Sequence, residues 1–317
     1  MELYIEKEFL DNFFIEYDEE KLSREQQVVS SILKEYGEID WFIDTEINDA
    51  ETLEKLKLSN PFIAYRASYA PPIPVKSLQD HFFKNSRCRQ TLIFTDKEEA
   101  WHKEAEAEGA LCFSSGNFQN KIEDIIEKAH FKIDLSEDFK NWDVFKALNQ
   151  IPFNEILVND NYILTDKPSQ ALEKNIIPLL QIILNGKNLT IGVKIFTREL
   201  NGISDSENHV FEAVKKRYKK LNRELANYKK KIRIINNSLK TDTYDLHDRV
   251  LLTNFLSIDS GKGFNLFPNK KSNSQIIIES IFDKYTYKRI KNHQRMYDEY
   301  LQRLENMNSV KFKIYPS

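Results

Sequence analysis

"LHDRVLLTNFLSIDSGKGFNLF", residues 246–267, decides how the second half of this chain is read. "RVLLTNF" has the short apolar pattern of a buried strand, and "GKGFN" has the composition of a turn. In a strand, side chains two apart share a face, so His247 and Arg249 would project together and Asp248 would point away. An imidazole beside a guanidinium suits a phosphate, which a planar guanidinium can hold with two parallel donors.

Around this stretch the bulk composition sets limits. A chain of 317 residues exceeds one ordinary core, so two domains are expected. No run of about 18 apolar residues exists, so no segment is expected to span a bilayer. "MELYIEKEFLDNFF" lacks the basic start and apolar core of a signal peptide. Cys88 and Cys112 fall in no metal-ligand pattern and fit a reducing cytoplasm. The net charge of −3 hides an asymmetry. Residues 1–132 carry 16 Lys/Arg and 27 Asp/Glu, a net of −11; residues 133–317 carry 30 and 22, a net of +8. The basic part would attract phosphates and the acidic part cations, although solubility alone can explain such a split.

Strand and helix patterns alternate along the chain, which predicts an α/β protein with mostly parallel sheets. In residues 1–132, "LYI", "IDWFIDT", "TLIFTD" and "ALCFSS" read as strands. "SREQQVVSSILKEYG" reads as a helix opened by a Ser23–Gln26 capping box, and Ser77 caps another. "SNPFIAYRASYAPPIPVKS", with four prolines, is expected to be loop or edge. Residues 133–150 are expected to connect the halves, and 151–317 to form the second domain, ending in a helix over "IKNHQRMYDEYLQRLENM".

The opening stretch resembles the HKD motif of the phospholipase D superfamily, H-x-K, four residues, D, six residues, G-S-x-x-N. His247 stands at the histidine, Arg249 at the lysine, Asn254 at the aspartate, Lys262 at the serine and Asn265 at the asparagine. The spacing is kept and three identities are changed. In that superfamily paired histidines attack phosphorus and protonate the leaving oxygen. The resemblance therefore implies phosphate binding by His247, Arg249, Asn254, Lys262 and Asn265, and a homodimer that supplies the second copy. "HDR" followed by "GKGFN", with Asp160, Tyr162 and Asn175 upstream, is more similar to the phospholipase D-like domain that follows microtubule-interacting-and-trafficking modules. That domain is a non-catalytic dimer that binds acidic lipids. The alternative is that His247 and Arg249 only pair internally.

The segment over residues 215–233, "KKRYKKLNRELANYKKKIR", holds ten basic residues and one acidic residue. Lys215, Lys219, Lys220 and Arg223 are expected on one exposed side, where nucleic acid or anionic lipid could lie. A solvated helix face is the plain alternative.

In the first half, acidic and amide residues follow the strands: Glu6, Asp44, Asp96 and Asn117. Carboxyl ends of parallel strands share one rim, and carboxylates there can hold Mg²⁺ or Mn²⁺. The order resembles the PIN-like ribonucleases, best over "LIFTDKEEAWHKEAEAEGALCFSSGNF". That resemblance implies Glu6, Asp44 and Asp96 as catalytic metal ligands and Asn117 as an outer-shell group. Asp96 with Glu99 also has the spacing of a helix-capping box.

The leading expectation is thus a metal-dependent nuclease acting on RNA or single-stranded DNA. A phosphate-binding, dimerising second domain would accompany it, in a toxin or anti-phage setting by analogy. The alternative is a non-catalytic adaptor for nucleic acid or anionic lipid. A third option is a metal-free phosphodiesterase using His247.

Overall fold

A computed structural model describes residues 1–86, 90–135, 139–164, 170–198, 207–236, 248–267, 274–306 and 313–316. The chain is α/β and forms two units. The first is Met1–Glu127 with Ile281–Tyr285; the second is Lys128–Ser280 with Thr286–Ser317.

The first unit runs β1 (Glu2–Ile5), α1 (Lys7–Ile15), α2 (Arg24–Glu35), β2 (Asp40–Ile43), α3 (Ala50–Ser59), α4 (Pro61–Tyr69), β3 (Ile73–Pro74), α5 (Leu78–Asn85), β4 (Thr91–Thr95), α6 (His102–Ala107), β5 (Leu111–Ser114) and α7 (Phe118–Ala129). Every strand pair is parallel, in the order β3-β2-β1-β4-β5. Ile5 lies opposite Ile43 and Phe94, so β1, β2 and β4 end level. Both faces are covered, which is why "LYI", "WFI" and "LIF" read as unbroken apolar runs. On one face Phe9, Phe13, Phe62 and Phe118 interlock from α1, α4 and α7. On the other, Tyr4 stacks on Phe42 at 4.6 Å and meets Phe82 edge-on.

The Ser23–Gln26 capping box is present in both directions. Two local expectations change. "PFIAYRASY" is a helix, because Asn60 accepts from the Phe62 amide and Pro61 sits at the first helical position, where its missing N–H costs nothing. Only Ile73–Pro74 forms the short edge strand. The helix after Asp96 begins six residues later, at His102, so Asp96 is not its cap. The late segment Ile281–Tyr285 completes this unit: Ile281 is buried, Phe282 meets Phe113, and Tyr36 donates to the Ile281 carbonyl at 2.7 Å.

The second unit runs β6 (Phe131–Asp134), a 3-10 helix (Asp143–Gln150), β7 (Glu155–Asn159), a π turn (Leu172–Ile176) leading into α8 (Ile177–Leu184), β8 (Ile191–Thr197), α9 (Glu207–Glu224), β9 (Lys230–Asn236), β10 (Val250–Thr253), β11 (Leu256–Ser260), β12 (Gln275–Ser280), α10 (Lys284–Asn306) and β13 (Lys313–Tyr315). Its eight strands take the order β13-β9-β8-β7-β10-β11-β12-β6. β7, β8 and β9 are parallel; the other pairs are antiparallel. Residues 133–150 are not a free connection. β6 pairs with β12, and Phe139, Trp142, Phe145 and Leu148 are buried in this unit's own core.

No helix among the described residues is long and apolar enough to cross a membrane.

Candidate functional site

The first unit's candidate site lies where β1, β2, β4 and β5 end. The sheet order reverses between β1 and β4, the position at which open α/β sheets bind ligands. Glu6 leaves β1 and is the residue before α1. Its Oε2 accepts the Asp96 amide at 2.6 Å. Asp96 leaves β4, and its Oδ1 accepts from Asn12 Nδ2 at 2.7 Å and Ser115 Oγ at 3.2 Å. Asp44 leaves β2 and accepts the Lys7 amide at 2.7 Å, so its charge sits at the positive start of α1.

These groups feel one another. Burial raises the Glu6 pKa, the Asp96 amide opposes this, and the charges of Asp44, Glu99 and Asp96 raise it further. A carboxylate so perturbed at a sheet's switch point is a candidate for acid–base work. Asn12 and Ser115 have no sequence signature as partners of Asp96, from which they lie 84 and 19 residues away.

The expected metal-site residues have the following partners. Asn117 caps its own turn, its Oδ1 accepting the Ser114 amide at 2.8 Å. Glu6, Asp44 and Asp96 are turned onto backbone amides, Asn12 and Ser115. Among the described residues no three His, Cys, Asp or Glu side chains gather as a metal ion would require. The oxygen donors are of the chemical kind that Mg²⁺ or Mn²⁺ prefers.

The second unit brings two turns together around β10. Asp160, buried at the end of β7, accepts the Phe264 amide through Oδ2 at 2.6 Å and the Tyr162 amide through Oδ1 at 2.9 Å. One carboxylate thereby fastens turn 160–163 to turn 261–264. Gly263 sits at φ +81°, and a Cβ there would fall 2.5 Å from Asp160 Oδ2, so only glycine fits. Asn175 fastens the next stretch, accepting the Leu266 and Phe267 amides at 3.0 and 2.8 Å and donating to Asn265 Oδ1 at 3.3 Å.

Arg249, just before β10, donates from Nη1 to the Gly261 carbonyl at 3.1 Å, with its guanidinium 5.9 Å from the Tyr162 ring. Lys262 is exposed on the same turn. His247 lies outside the described residues, so its pairing with Arg249 is not described. Asp248 belongs to other company: His293 Nε2 of α10 is 3.0 Å from its Oδ2.

Asn254 is corrected. It is buried at the opposite end of β10, accepting the Asn154 and Glu155 amides at 3.1 Å each. Five residues of strand separate it from Arg249, roughly 17 Å at about 3.3–3.4 Å per residue. It closes a hairpin and does not share a ligand with Arg249.

The basic helix is re-registered. Lys215 pairs with Glu212 at 3.5 Å, Lys220 pairs with Glu173, and Arg223 pairs with its neighbour Glu224 at 2.8 Å. Arg217 turns inward to the Leu164 carbonyl at 2.6 Å. The exposed line is Lys216, Lys219 and Arg223, with Lys229 and Lys231 exposed at the start of β9. Spacings of three and seven put the first three on one side of α9. Lys216, Lys219, Lys229 and Lys231 have no ion-pair partner among the described residues.

No family model matches this chain, and no curated protein matches it. Among solved structures, TrmBL2, described as an archaeal chromatin protein with a novel mode of DNA binding, aligns over 94% of this chain and 98% of its own. The identity is 11% and the TM-score 0.29, too low for the likeness to carry an argument.

Proposed function

We propose that this protein binds nucleic acid through its second unit. The supporting observation is the exposed basic line Lys216, Lys219 and Arg223 with Lys229 and Lys231, four of whose five members have no ion-pair partner among the described residues. Side chains that satisfy one another internally, such as Lys220 with Glu173, cannot release counterions on binding; these can. Arg249 and Lys262 add cationic groups on turns held rigid by Asp160. The test is fluorescence anisotropy with a labelled 20-nucleotide single strand at 50 and 200 mM salt. About four phosphate contacts predict a loss on the order of 50-fold across that range. Salt-insensitive binding, or binding to phosphatidylserine vesicles with none to the oligonucleotide, overturns the reading.

A second reading, phosphodiester hydrolysis at the rim of the first unit, is favoured by one observation: a Glu6 of raised pKa at the sheet's switch point, beside Asp44, Asp96 and Glu99. Labelled RNA and single-stranded DNA, incubated with Mn²⁺ and separately with EDTA, test it. Cleavage abolished by Asp96→Asn supports hydrolysis at this rim; equal cleavage by both proteins rejects it.

A further inference from the structure

We infer that Tyr162, Arg249 and Lys262 form a subsite for one nucleotide of a single strand, with the base on the tyrosine ring and its phosphate on the two cations. This rests on the nucleic-acid reading and narrows it to unpaired strands.

Tyr162 is a large aromatic left 45% exposed, on a turn whose backbone is pinned by Asp160. The guanidinium of Arg249 is 5.9 Å from its ring centre. One Arg249 nitrogen is committed to the Gly261 carbonyl, which fixes the plane of the guanidinium. Its other N–H groups have no hydrogen-bond partner among the described residues. Lys262 is exposed on the next residue of that turn. Asp160 fastens both turns, and Gly263 permits their close approach, so ring and cations are set on one rigid base.

An anion alone would need only the cations. The exposed ring adds a flat apolar surface, which stacks on a nucleobase whatever its identity. In a duplex the base faces are hidden within the stack, so a side chain on a turn reaches them only in an unpaired strand. A lipid headgroup or free phosphate has no such face and would gain nothing from the tyrosine.

The experiment uses the full chain and three labelled probes of equal length: a single strand, the same backbone without bases, and the duplex. Tyr162→Ala should weaken the single strand on the order of 10-fold and leave the abasic strand and duplex unchanged. Tyr162→Phe should bind all three as the parent does. Arg249→Ala should weaken the single and abasic strands alike. A Tyr162→Ala protein that melts with the parent and holds the single strand equally well overturns the subsite while leaving the nucleic-acid reading intact. Equal loss on the abasic strand also overturns it, since the tyrosine would then not be touching a base. A parent protein that binds none of the probes overturns both.

Discussion

The two units dispose of their charged groups in opposite ways. In the acidic unit, Glu6, Asp44 and Asp96 stand at the ends of their strands and accept hydrogen bonds from backbone amides and polar neighbours. In the basic unit, the buried carboxylate of Asp160 does structural work, while Lys216, Lys219, Lys229 and Lys231 stay in solvent. The charge split along the sequence is therefore not one phenomenon. Those three carboxylates have local hydrogen-bond donors, whereas these four lysines have no ion-pair partner among the described residues.

The largest effect should come from breaking the fastening between the two turns of the second unit. Gly263→Ala puts a side chain on a left-handed backbone and against Asp160. About 1–2 kcal/mol of backbone strain and about 1–3 of overpacking should together lower stability by about 2–5 kcal/mol. Amide exchange at Phe264 and Tyr162 should accelerate while the β1 and β4 amides of the first unit keep their protection. Uniform acceleration in both units would contradict this.

Acid should reveal the first unit next. His102 is buried with Thr95 and the Glu99 amide around its ring. Burial, with help from Lys121, pushes its pKa from 6.5 down to about 4. The folded state therefore resists a proton that the unfolded chain accepts. The contribution of His102 is constant well above pH 6.5, and stability is lost through it as pH falls from there to about 4, by on the order of 2–3 kcal/mol. Chemical denaturation at pH 7, 5.5 and 4.5 measures it, and His102→Gln should flatten the slope.

Reversing the exposed charges should sharpen the contrast in binding. Lys216→Glu with Lys219→Glu should weaken the oligonucleotide about 10-fold or more at 100 mM salt and reduce the salt slope. Lys215→Ala with Lys220→Ala, which removes the paired cations, should cost less. The reverse ranking would return the binding face to the register first read from the sequence.

The smallest effect is on Glu6. Its raised pKa means the fold favours the neutral acid, so its contribution to stability falls as pH rises through the glutamate range and is unfavourable at pH 7. Glu6→Gln, which can still accept the Asp96 amide, should raise the melting temperature slightly, within about 1 kcal/mol. A lower melting temperature at pH 7 would show that the charge is needed for the fold.

Local rules read from sequence were reliable where one segment determines its own structure. Ser23 and Gln26 form their box, Ser77 caps α5, and the unbroken apolar runs are parallel strands. They failed where a distant partner decides. Pro61 reads as a breaker by itself, whereas with Asn60 as cap it opens the helix. Residues 133–150 look polar, yet Leu135, Phe139, Trp142, Phe145 and Leu148 are buried, with Phe139 against Phe267 and Trp142 against Phe264, far away in sequence. On α9 the apolar stripe was visible, but which lysines meet Glu212 and Glu173 depends on packing. The Asp160 fastening spans 104 residues, and in the sequence Asp160 and the "GKGFN" turn are linked only through a family resemblance.

The segment Ile281–Tyr285 has a practical consequence. The polypeptide passes from one folding unit to the other at three places, so no single cut liberates either half intact. A fragment ending at residue 127 would strand the Tyr36 hydroxyl without its acceptor and open a hole where Ile281 belongs. Limited proteolysis in the first crossing should yield nicked protein that still migrates as one species until denatured. Moving either half into another protein would have to deal with all three crossings.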